Sequence, residues 1–225
     1  MVRRTKTEAQ ATREWLLVAA LRVFRERGTT RTSLAEVAAE AGVTRGAVYW
    51  HFRDKAELFG AMCERMTSPL DTMARECGAE SANDPLGALR AMSIASLTHL
   101  ASDPRSQAVL DVVLHKSELV GELASGAARQ KRIRSGCLAR NETLMRGAVA
   151  RGQLPPDTDT TLAARALHAF IVGTMYEWIT DRRAYDLAAA APALVDAMLA
   201  GLRASPPRCV LPTPARRRRA PSRQR

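Results

Sequence analysis

A capped pair of short helices, written into residues 33–52 as SLAEVAAEAGVTRGAVYWHF, constrains this chain more than any other feature. Ser33, followed three residues later by Glu36, has the pattern of a capping box, so a helix is predicted to begin directly after the serine. Gly42 suits the left-handed position that ends this helix, and Thr44 is placed to cap the next one. Two short helices joined by a three-residue turn predict a helix-turn-helix.

One side of this pair is apolar at helical spacing, and the other side is polar. The positions predicted to be buried are Leu34, Val37, Ala38, Ala41 and Val48. On the polar side, Arg45 can donate two hydrogen bonds to guanine O6 and N7, and we predict that it reads a base.

The second helix of the pair is predicted to lie in the major groove of DNA. Gly46 and Ala47 are small enough for close approach, and the Ala47 methyl can meet a thymine methyl. Other polar and aromatic side chains are predicted to position the helix on phosphates. The predicted DNA contacts are Ser33, Thr44, Arg45, Gly46, Ala47, Tyr49, Trp50, His51 and Lys55. A pair of helices that only packs is the competing interpretation.

The net charge of +11 is concentrated at the two ends of the chain. Residues 1–55 hold 11 Lys or Arg against 6 Asp or Glu, and residues 204–225 hold 7 Arg and no acid. Residues 56–203 hold 16 basic and 17 acidic side chains. This distribution predicts that a polyanion binds the ends, or else that the charges only keep the protein in solution. The basic residues Arg3, Arg4 and Lys6 are predicted to reach the minor groove or to stay solvated.

Apolar residues recur with the 3.6-residue period nearly throughout, so the predicted fold class is all-α. After a first helix at 8–27 and the pair, a long helix runs from Asp54 into the mid-seventies. Asp-Pro pairs at 84–85 and 103–104 predict two helix starts. Later helices are predicted at 122–151, at 159–180 with Asp157 or Thr158 as cap, and at 188–203, where Pro192 lies in the first turn or causes a kink.

We divide the chain into a DNA-binding domain at 1–53, a ligand-binding and dimerisation domain at 54–203, and a disordered basic tail at 204–225. The tail either adds non-specific affinity for DNA or is only solvated. The start of the chain does not resemble a signal peptide, and we expect a cytoplasmic protein.

Enzyme and metal chemistry find little support in the sequence. Cys63, Cys77, Cys137 and Cys209 have neither CxxC nor zinc-ligand spacing, so reduced thiols are the simpler interpretation, with redox sensing as the alternative. The four histidines are isolated, and no nucleophile elbow, P-loop or dinucleotide fingerprint appears. We predict no cofactor, no metal, no membrane partner and no catalytic residue.

The string GVTRGAVYWHFRDKAELF resembles the TetR family of bacterial transcriptional repressors, and within it the AcrR-type repressors of multidrug efflux operons. Further similar segments are DPLGALR, LHKSELVGE and GTMYEW. The resemblance implies three helices in the DNA reader and six in a regulatory domain. It also implies a homodimer through helices at about 159–180 and 188–203, which agrees with the first of these being apolar on two sides.

In the family, an inducer enters a cavity of the regulatory domain, shifts the helix that begins near Asp54, and releases a palindromic operator. By position, the candidates to line such a cavity are Met62, Met66, Met73, Met92, Leu97, Leu110, Leu114, Glu118, Met145, Phe170, Thr174, Glu177 and Trp178. Glu118 or Glu177 could pair with a cationic drug or simply lie at the surface. Two alternatives stay open: a regulator that senses a metabolite such as an acyl compound, and a non-specific, nucleoid-like DNA binder.

Overall fold

The fold was analysed in a computed structural model, which describes residues 6–76, 83–117 and 124–208, with the backbone alone at 6, 66–76 and 124–130. Within these ranges the regular structure is helical, which confirms the predicted all-α class. The helices are α1 (Lys6–Arg27), α2 (Leu34–Glu40), α3 (Arg45–His51), α4 (Lys55–Glu76), α5 (Pro85–Ser102), α6 (Pro104–His115), α7 (Ala124–Ala150), α8 (Thr160–Thr180) and α9 (Leu187–Ala204).

Aspartate caps begin most of the later helices, because a carboxylate can accept from the unpaired amides of a first turn. Both Asp-Pro pairs behave as predicted: Asp84 accepts from the Gly87 amide, and Asp103 accepts from the two amides at 105 and 106. The cap of α8 was predicted wrongly. Asp159 accepts from the Leu162 amide at 2.9 Å, whereas Thr158 donates its hydroxyl to the Pro155 carbonyl.

Two buried clusters make up the core. The first cluster joins α1, α2, α3 and the first turns of α4, and it includes Val109 and Val112 of α6. The second cluster joins α5, α7, α8 and α9, and it includes Leu110 of the same helix α6. Since α6 contributes side chains to both clusters, it connects the DNA reader to the rest of the molecule. The domain boundary at 53/54 stays a prediction.

The apolar face of α9 packs on α5. Leu187 is its first residue, so Pro192 lies in the second turn; the predicted first-turn position was wrong, and the alternative, a kink at Pro192, stays a prediction. By length and composition α9 could also cross a membrane, and it is the one such helix in the described part of the chain. Its Val195 and Leu199 are nevertheless buried in the second cluster. Asp196 accepts two hydrogen bonds from Arg90, at 2.6 and 2.9 Å, which fixes α9 on α5.

The chain immediately after α9 turns back onto the start of α8. The Asp159 amide donates to the Pro207 carbonyl at 2.8 Å, an isolated bridge joins Thr158 to Arg208, and Arg208 pairs with Asp157. The prediction of disorder from residue 204 was therefore wrong for 204–208. These residues find backbone partners about fifty positions earlier in the chain, which local composition does not reveal. Residues 209–225 lie outside the described ranges.

Candidate nucleic-acid interface

Helix α2 begins at the predicted capping box. The Ser33 amide donates to the Glu36 carboxylate at 2.8 Å, and the Glu36 amide donates back to the Ser33 hydroxyl at 3.3 Å. Arg27 of α1 reaches the same carboxylate at 2.7 Å. The backbone hydrogen bond from Ser33, then its side-chain bond, lowers the pKa of Glu36, so the carboxylate stays charged. The box therefore fixes where α2 starts relative to α1.

The turn between α2 and α3 forms as predicted. Gly42 has φ of +65°, in the left-handed region that suits glycine, and the Val43 amide donates to the Ala38 carbonyl. The Thr44 hydroxyl then accepts from the Ala47 amide at 3.2 Å and caps α3. Val48 is fully buried in the first cluster. This burial leaves the opposite face of α3 directed to solvent.

The exposed face of α3 carries a cation and two aromatic side chains. Arg45 lies at the N-terminal end, where its guanidinium is 5.5 Å from the Tyr49 ring centroid and donates to the Tyr49 hydroxyl at 3.4 Å. Trp50 is 71% exposed, although its indole packs edge-on against the His51 ring. Together with the exposed Tyr49 ring it makes an aromatic patch beside Arg45, and such patches are typical of interaction surfaces. Its contacts with Tyr49 place the Arg45 guanidinium over that ring, at the outer surface of α3.

Gly46 and Ala47 leave space beside Arg45. A methyl group built at Gly46 would meet only the Thr44 hydroxyl oxygen, at 3.9 Å. Packing inside the protein therefore does not require glycine at this position, and the small size is available for a close external approach. Of the residues predicted to contact DNA, Arg45, Gly46, Tyr49 and Trp50 are exposed on α3 and Ala47 and His51 are half-buried there, while Thr44 and Ser33 are exposed at the starts of α3 and α2.

The position of the Lys55 side chain differs from the one expected of a phosphate contact. Its side chain is buried, with 8% exposure, and its ammonium donates to the Thr32 carbonyl at 3.0 Å inside the reader. An ammonium held in this way is not presented to a DNA phosphate in this structure, so the geometry argues against the phosphate contact, which stays a prediction. Arg53, in the connection between α3 and α4, has a side chain that is 81% exposed, and its guanidinium lies 3.1 Å from the Asp54 carboxylate. It is a better phosphate candidate, and the string RDK was the signal for it.

Trp15 of α1 is a positioning residue that the sequence patterns did not reveal. Its indole N–H donates to the carbonyl of Ala41, the residue that ends α2, at 2.9 Å. The ring stays 48% exposed and lies beneath the Arg22 guanidinium. Because the two bonded residues are 26 positions apart, periodicity within either helix carries no sign of this bond.

Two family models match this chain. Residues 16–62 match the family described as bacterial regulatory proteins, tetR family, and residues 84–204 match the C-terminal region of MAATS-type transcriptional repressors. The second match alone covers more than half of the chain.

The chain belongs to the TetR family. Among curated relatives, it is 37% identical over 206 residues to the HTH-type transcriptional regulator TtgR of Pseudomonas putida, which covers 92% of this chain and 98% of TtgR. It is also 37% identical over 187 residues to the HTH-type transcriptional regulator AcrR of Shigella flexneri, covering 83% and 87% of the two chains.

Solved structures agree with this assignment. NalD, the secondary repressor of the MexAB-OprM multidrug efflux pump in Pseudomonas aeruginosa, matches with a TM-score of 0.79 and 32% identity, covering 89% of this chain and all of that one. A complex of SmeT with triclosan matches with a TM-score of 0.75 and 34% identity, covering 85% and 91%. This TetR-family chain thus combines the helix-turn-helix region of bacterial regulatory proteins with the C-terminal region of a transcriptional repressor, and its relatives NalD and AcrR are regulators of the same kind.

The residues predicted to line a TetR-type ligand cavity are not all brought together. Met62 belongs to the first cluster, beside the reader. In the second cluster lie Leu97, Leu110, Met145 and Trp178, with Leu114 packed against it. Met92, Phe170 and Thr174 are half-buried. Glu118 and the side chains of Met66 and Met73 lie outside what the structure describes.

Glu177 does not face the interior. It is exposed, and its carboxylate accepts from the Tyr185 hydroxyl at 3.1 Å. The neighbouring Trp178 is buried and donates its indole N–H to the Tyr185 carbonyl at 3.2 Å. The prediction that Glu177 lines the cavity was therefore wrong: the two residues fix the end of α8 onto the α8–α9 connection, and only Trp178 points inward.

A half-open cavity of about 360 Å³ lies where α1, α4, α5 and α6 meet. Its floor is apolar and includes Leu17, Met62 and Val109, while Arg65 and Asp103 are among its polar residues. Met62 alone of the predicted ligand residues lines it. The Asp103 carboxylate is already used by the α6 amides and by Ser106, so its charge is directed at its own helix.

The two cysteines that the structure describes lie in different parts of the fold. Cys63 is buried in the first cluster, and Cys137 lies 3.8 Å from the His168 ring, between α7 and α8. Burial, followed by the charge of Arg134, lowers the pKa of His168. No group of three potential metal ligands occurs among the residues described. Cys77 and Cys209 lie outside those residues.

Proposed function

We propose that this TetR-family chain acts as a homodimer in the bacterial cytoplasm, represses a multidrug efflux operon by binding a palindromic operator, and leaves that operator when a lipophilic or cationic small molecule binds. The observation that carries the proposal is the pairing of two exposed faces with different chemistry. One is the outer face of α3, and the other is a stripe along α8.

The α8 stripe consists of exposed residues at intervals of three or four positions, so they share one side of the helix. Its large members are exposed by 48%, 41% and 49% of their surfaces, in the order Leu162, Val172 and Tyr176. Between them lie Ala169 and Gly173, with the exposed Arg165 one turn before Ala169, and a methyl group built at Gly173 would meet nothing within 4 Å. A stripe that is apolar at the ends and small in the middle suits close packing against the same helix of a second copy.

Helix α9 extends this surface. Ala193, Ala197 and Ala200 are exposed on the side opposite its buried face. Together α8 and α9 of two copies would form a four-helix interface with a twofold axis. In such a dimer the two α3 helices would meet half-sites about one turn of DNA apart, or a multiple of that spacing.

On DNA, Arg45 would read a guanine. Close approach of α3 to the major groove would be allowed by Thr44, Gly46, Ala47 and Tyr49. Trp50, His51 and Ser33 would position the helix on the backbone, with Arg53 replacing Lys55 as the cation at its end. Such phosphate contacts carry affinity but little sequence preference.

For the ligand, we propose a binding region in the regulatory domain, where Leu114 packs against the second cluster and Met92 and Phe170 are half-buried. Triclosan in the related SmeT complex is a lipophilic small molecule, which fits such apolar surroundings. A ligand of this kind would release DNA by binding more tightly to the form that does not fit the operator.

The proposal is tested by binding to the DNA upstream of the chain's own gene, compared with a scrambled duplex of equal length at physiological salt. Each duplex is titrated alone, with triclosan, and with the lipophilic cation tetraphenylphosphonium. Preference for the upstream duplex, abolished by either compound, is the expected result. Equal binding to both duplexes would instead indicate a non-specific, nucleoid-like binder. Preference that neither compound disturbs would contradict the drug-release part and favour a metabolite signal.

A further inference from the structure

The reader and the regulatory domain are joined at a second place, far along the chain from the covalent connection at α4. Gly28 ends α1 with φ of +78°, and the next residue, Thr29, is completely buried. Thr29 donates both its amide, at 2.9 Å, and its hydroxyl, at 3.2 Å, to the carbonyl of Lys116. Lys116 is the residue that ends α6.

The same contact continues through the reader as a short polar relay. The Thr32 hydroxyl donates to the Gly28 carbonyl at 2.7 Å, and the Thr32 carbonyl accepts from the buried Lys55 ammonium. Thr32 is 2% exposed. The relay therefore runs from the end of α6, through the α1–α2 connector at 28–32, to the first residue of α4.

Burial makes this contact sensitive to movement. The last carbonyls of a helix have no partners within their own helix, and here one of them is satisfied by two donors from the reader. Water does not reach Thr29, so a displaced α6 would leave those donors without partners. Closely packed contacts of this kind tend to switch between two arrangements and not to stretch gradually.

Helix α6 is suited to convey such a displacement. Its Leu110 lies in the second cluster, whereas Val109 and Val112 lie in the first. The connector that it touches leads directly to Ser33, whose capping box fixes the start of α2. A shift of the end of α6 would therefore reach the reader without passing along α4.

We infer that Thr29 is a positioning residue, which couples the end of α6 to the recognition helix through the α1–α2 connector. This inference rests on the proposed reading of DNA by α3. Because coupling between two sites is reciprocal, DNA bound at α3 must also change the stability of the α6 end. That consequence can be measured without knowing the inducer.

The experiment is hydrogen–deuterium exchange of the full-length protein, with and without a duplex of the DNA upstream of its own gene. In the wild-type protein DNA should slow exchange in α3, in the 28–32 connector and in the last turn of α6. In the Thr29→Val variant, which keeps the side-chain shape but removes the hydroxyl donor, the slowing in α6 should fall by at least about threefold while that in α3 remains.

Two variants serve as matched controls. Thr30→Val makes the same chemical change at an exposed neighbour, and Thr29→Ser keeps the hydroxyl; both should behave as the wild type does. If the Thr29→Val protein does not fold, Thr32→Val removes the next hydrogen bond of the relay and should give the same loss.

The inference would be overturned if DNA slowed exchange in α6 of the folded Thr29→Val protein as much as in the wild type. It would also be overturned if DNA did not slow exchange in α6 of the wild-type protein. Absence of slowing in α3 itself would refute the proposed DNA reading and, with it, the coupling.

Discussion

Helices α3 and α8 both leave large side chains exposed, but the chemistry of the two exposed faces differs. On α3 the exposed rings are Tyr49 and Trp50, which carry polar ends, and Tyr49 lies beside the Arg45 guanidinium. On α8 the stripe is mainly aliphatic around small residues, with Tyr176 at one end and the exposed Arg165 near the other. Polar-tipped rings with a nearby arginine suit a hydrated polyanion, whereas an aliphatic stripe with a small centre suits another helix. Exposure alone thus does not identify a partner; the residues around an exposed side chain indicate which kind of partner the surface suits.

A charge in the α8 stripe should have the largest effect. In the Ala169→Glu variant each dimer would bury two facing carboxylates, at a cost of about 3 to 5 kcal/mol, so the dimer should dissociate more than about a hundredfold more readily. Analytical ultracentrifugation measures this directly. The matched control is Ala139→Glu, the same change at an exposed alanine of α7, which should remain dimeric. An Ala169→Glu protein that is still dimeric would remove α8 from the interface.

The Arg45→Ala variant should have the next largest effect. It should lose about 1 to 3 kcal/mol of specific binding free energy, and its preference at one base position should relax. Fluorescence anisotropy against a set of singly substituted duplexes measures both quantities. Arg132→Ala, at an exposed position of α7, should leave both unchanged. Unchanged base preference in the Arg45→Ala protein would show that another residue reads the base.

Variants of Lys55 and Arg53 distinguish a role in folding stability from a role in DNA binding. Lys55→Met leaves the Thr32 carbonyl without its donor, so the free energy of unfolding should fall by about 1 to 3 kcal/mol. Arg53→Ala should leave that free energy nearly unchanged, weaken binding to every duplex alike and reduce the salt slope by about one. Denaturation and salt titration of both variants check these expectations. A stable Lys55→Met protein with a reduced salt slope would restore Lys55 as a phosphate contact.

Removal of residues 209–225, which contain six arginines and no acid, should have the smallest effect on the operator. It should mainly reduce salt-sensitive binding to unrelated duplexes, because those charges read no bases. The cut leaves Pro207 and Arg208 in place on the α8 start. Loss of dimerisation in this truncated protein would show that the tail has a structural role.

Local signals explain how much of the fold the sequence predicted. The capping box at Ser33, the glycine turn and the Asp-Pro starts each depend on residues within four positions of one another, and each was confirmed. The α8 cap was misplaced by one or two residues because three possible acceptors lie in a row, and only the packing of 157–158 on the chain end selects Asp159.

The failures share a long-range cause. Burial of Lys55 depends on a carbonyl 23 residues earlier, and the bond from Trp15 reaches a carbonyl 26 residues later. Assigning Met62 and Glu177 to one cavity relied on their order in the chain, whereas the fold places one in the first cluster and the other at the surface. Patterns within single helices do not contain that information. The DNA contacts themselves stay predictions.

The central claim is that two copies of α3, joined through α8 and α9, read a palindrome. It is tested most directly by selecting bound duplexes from a random pool with the full-length protein and sequencing them. The account predicts an inverted repeat whose half-sites are one turn of DNA apart or a multiple of it, with a guanine at the position relaxed by Arg45→Ala. A pool with no enriched motif, or with a single unrepeated half-site, would contradict it.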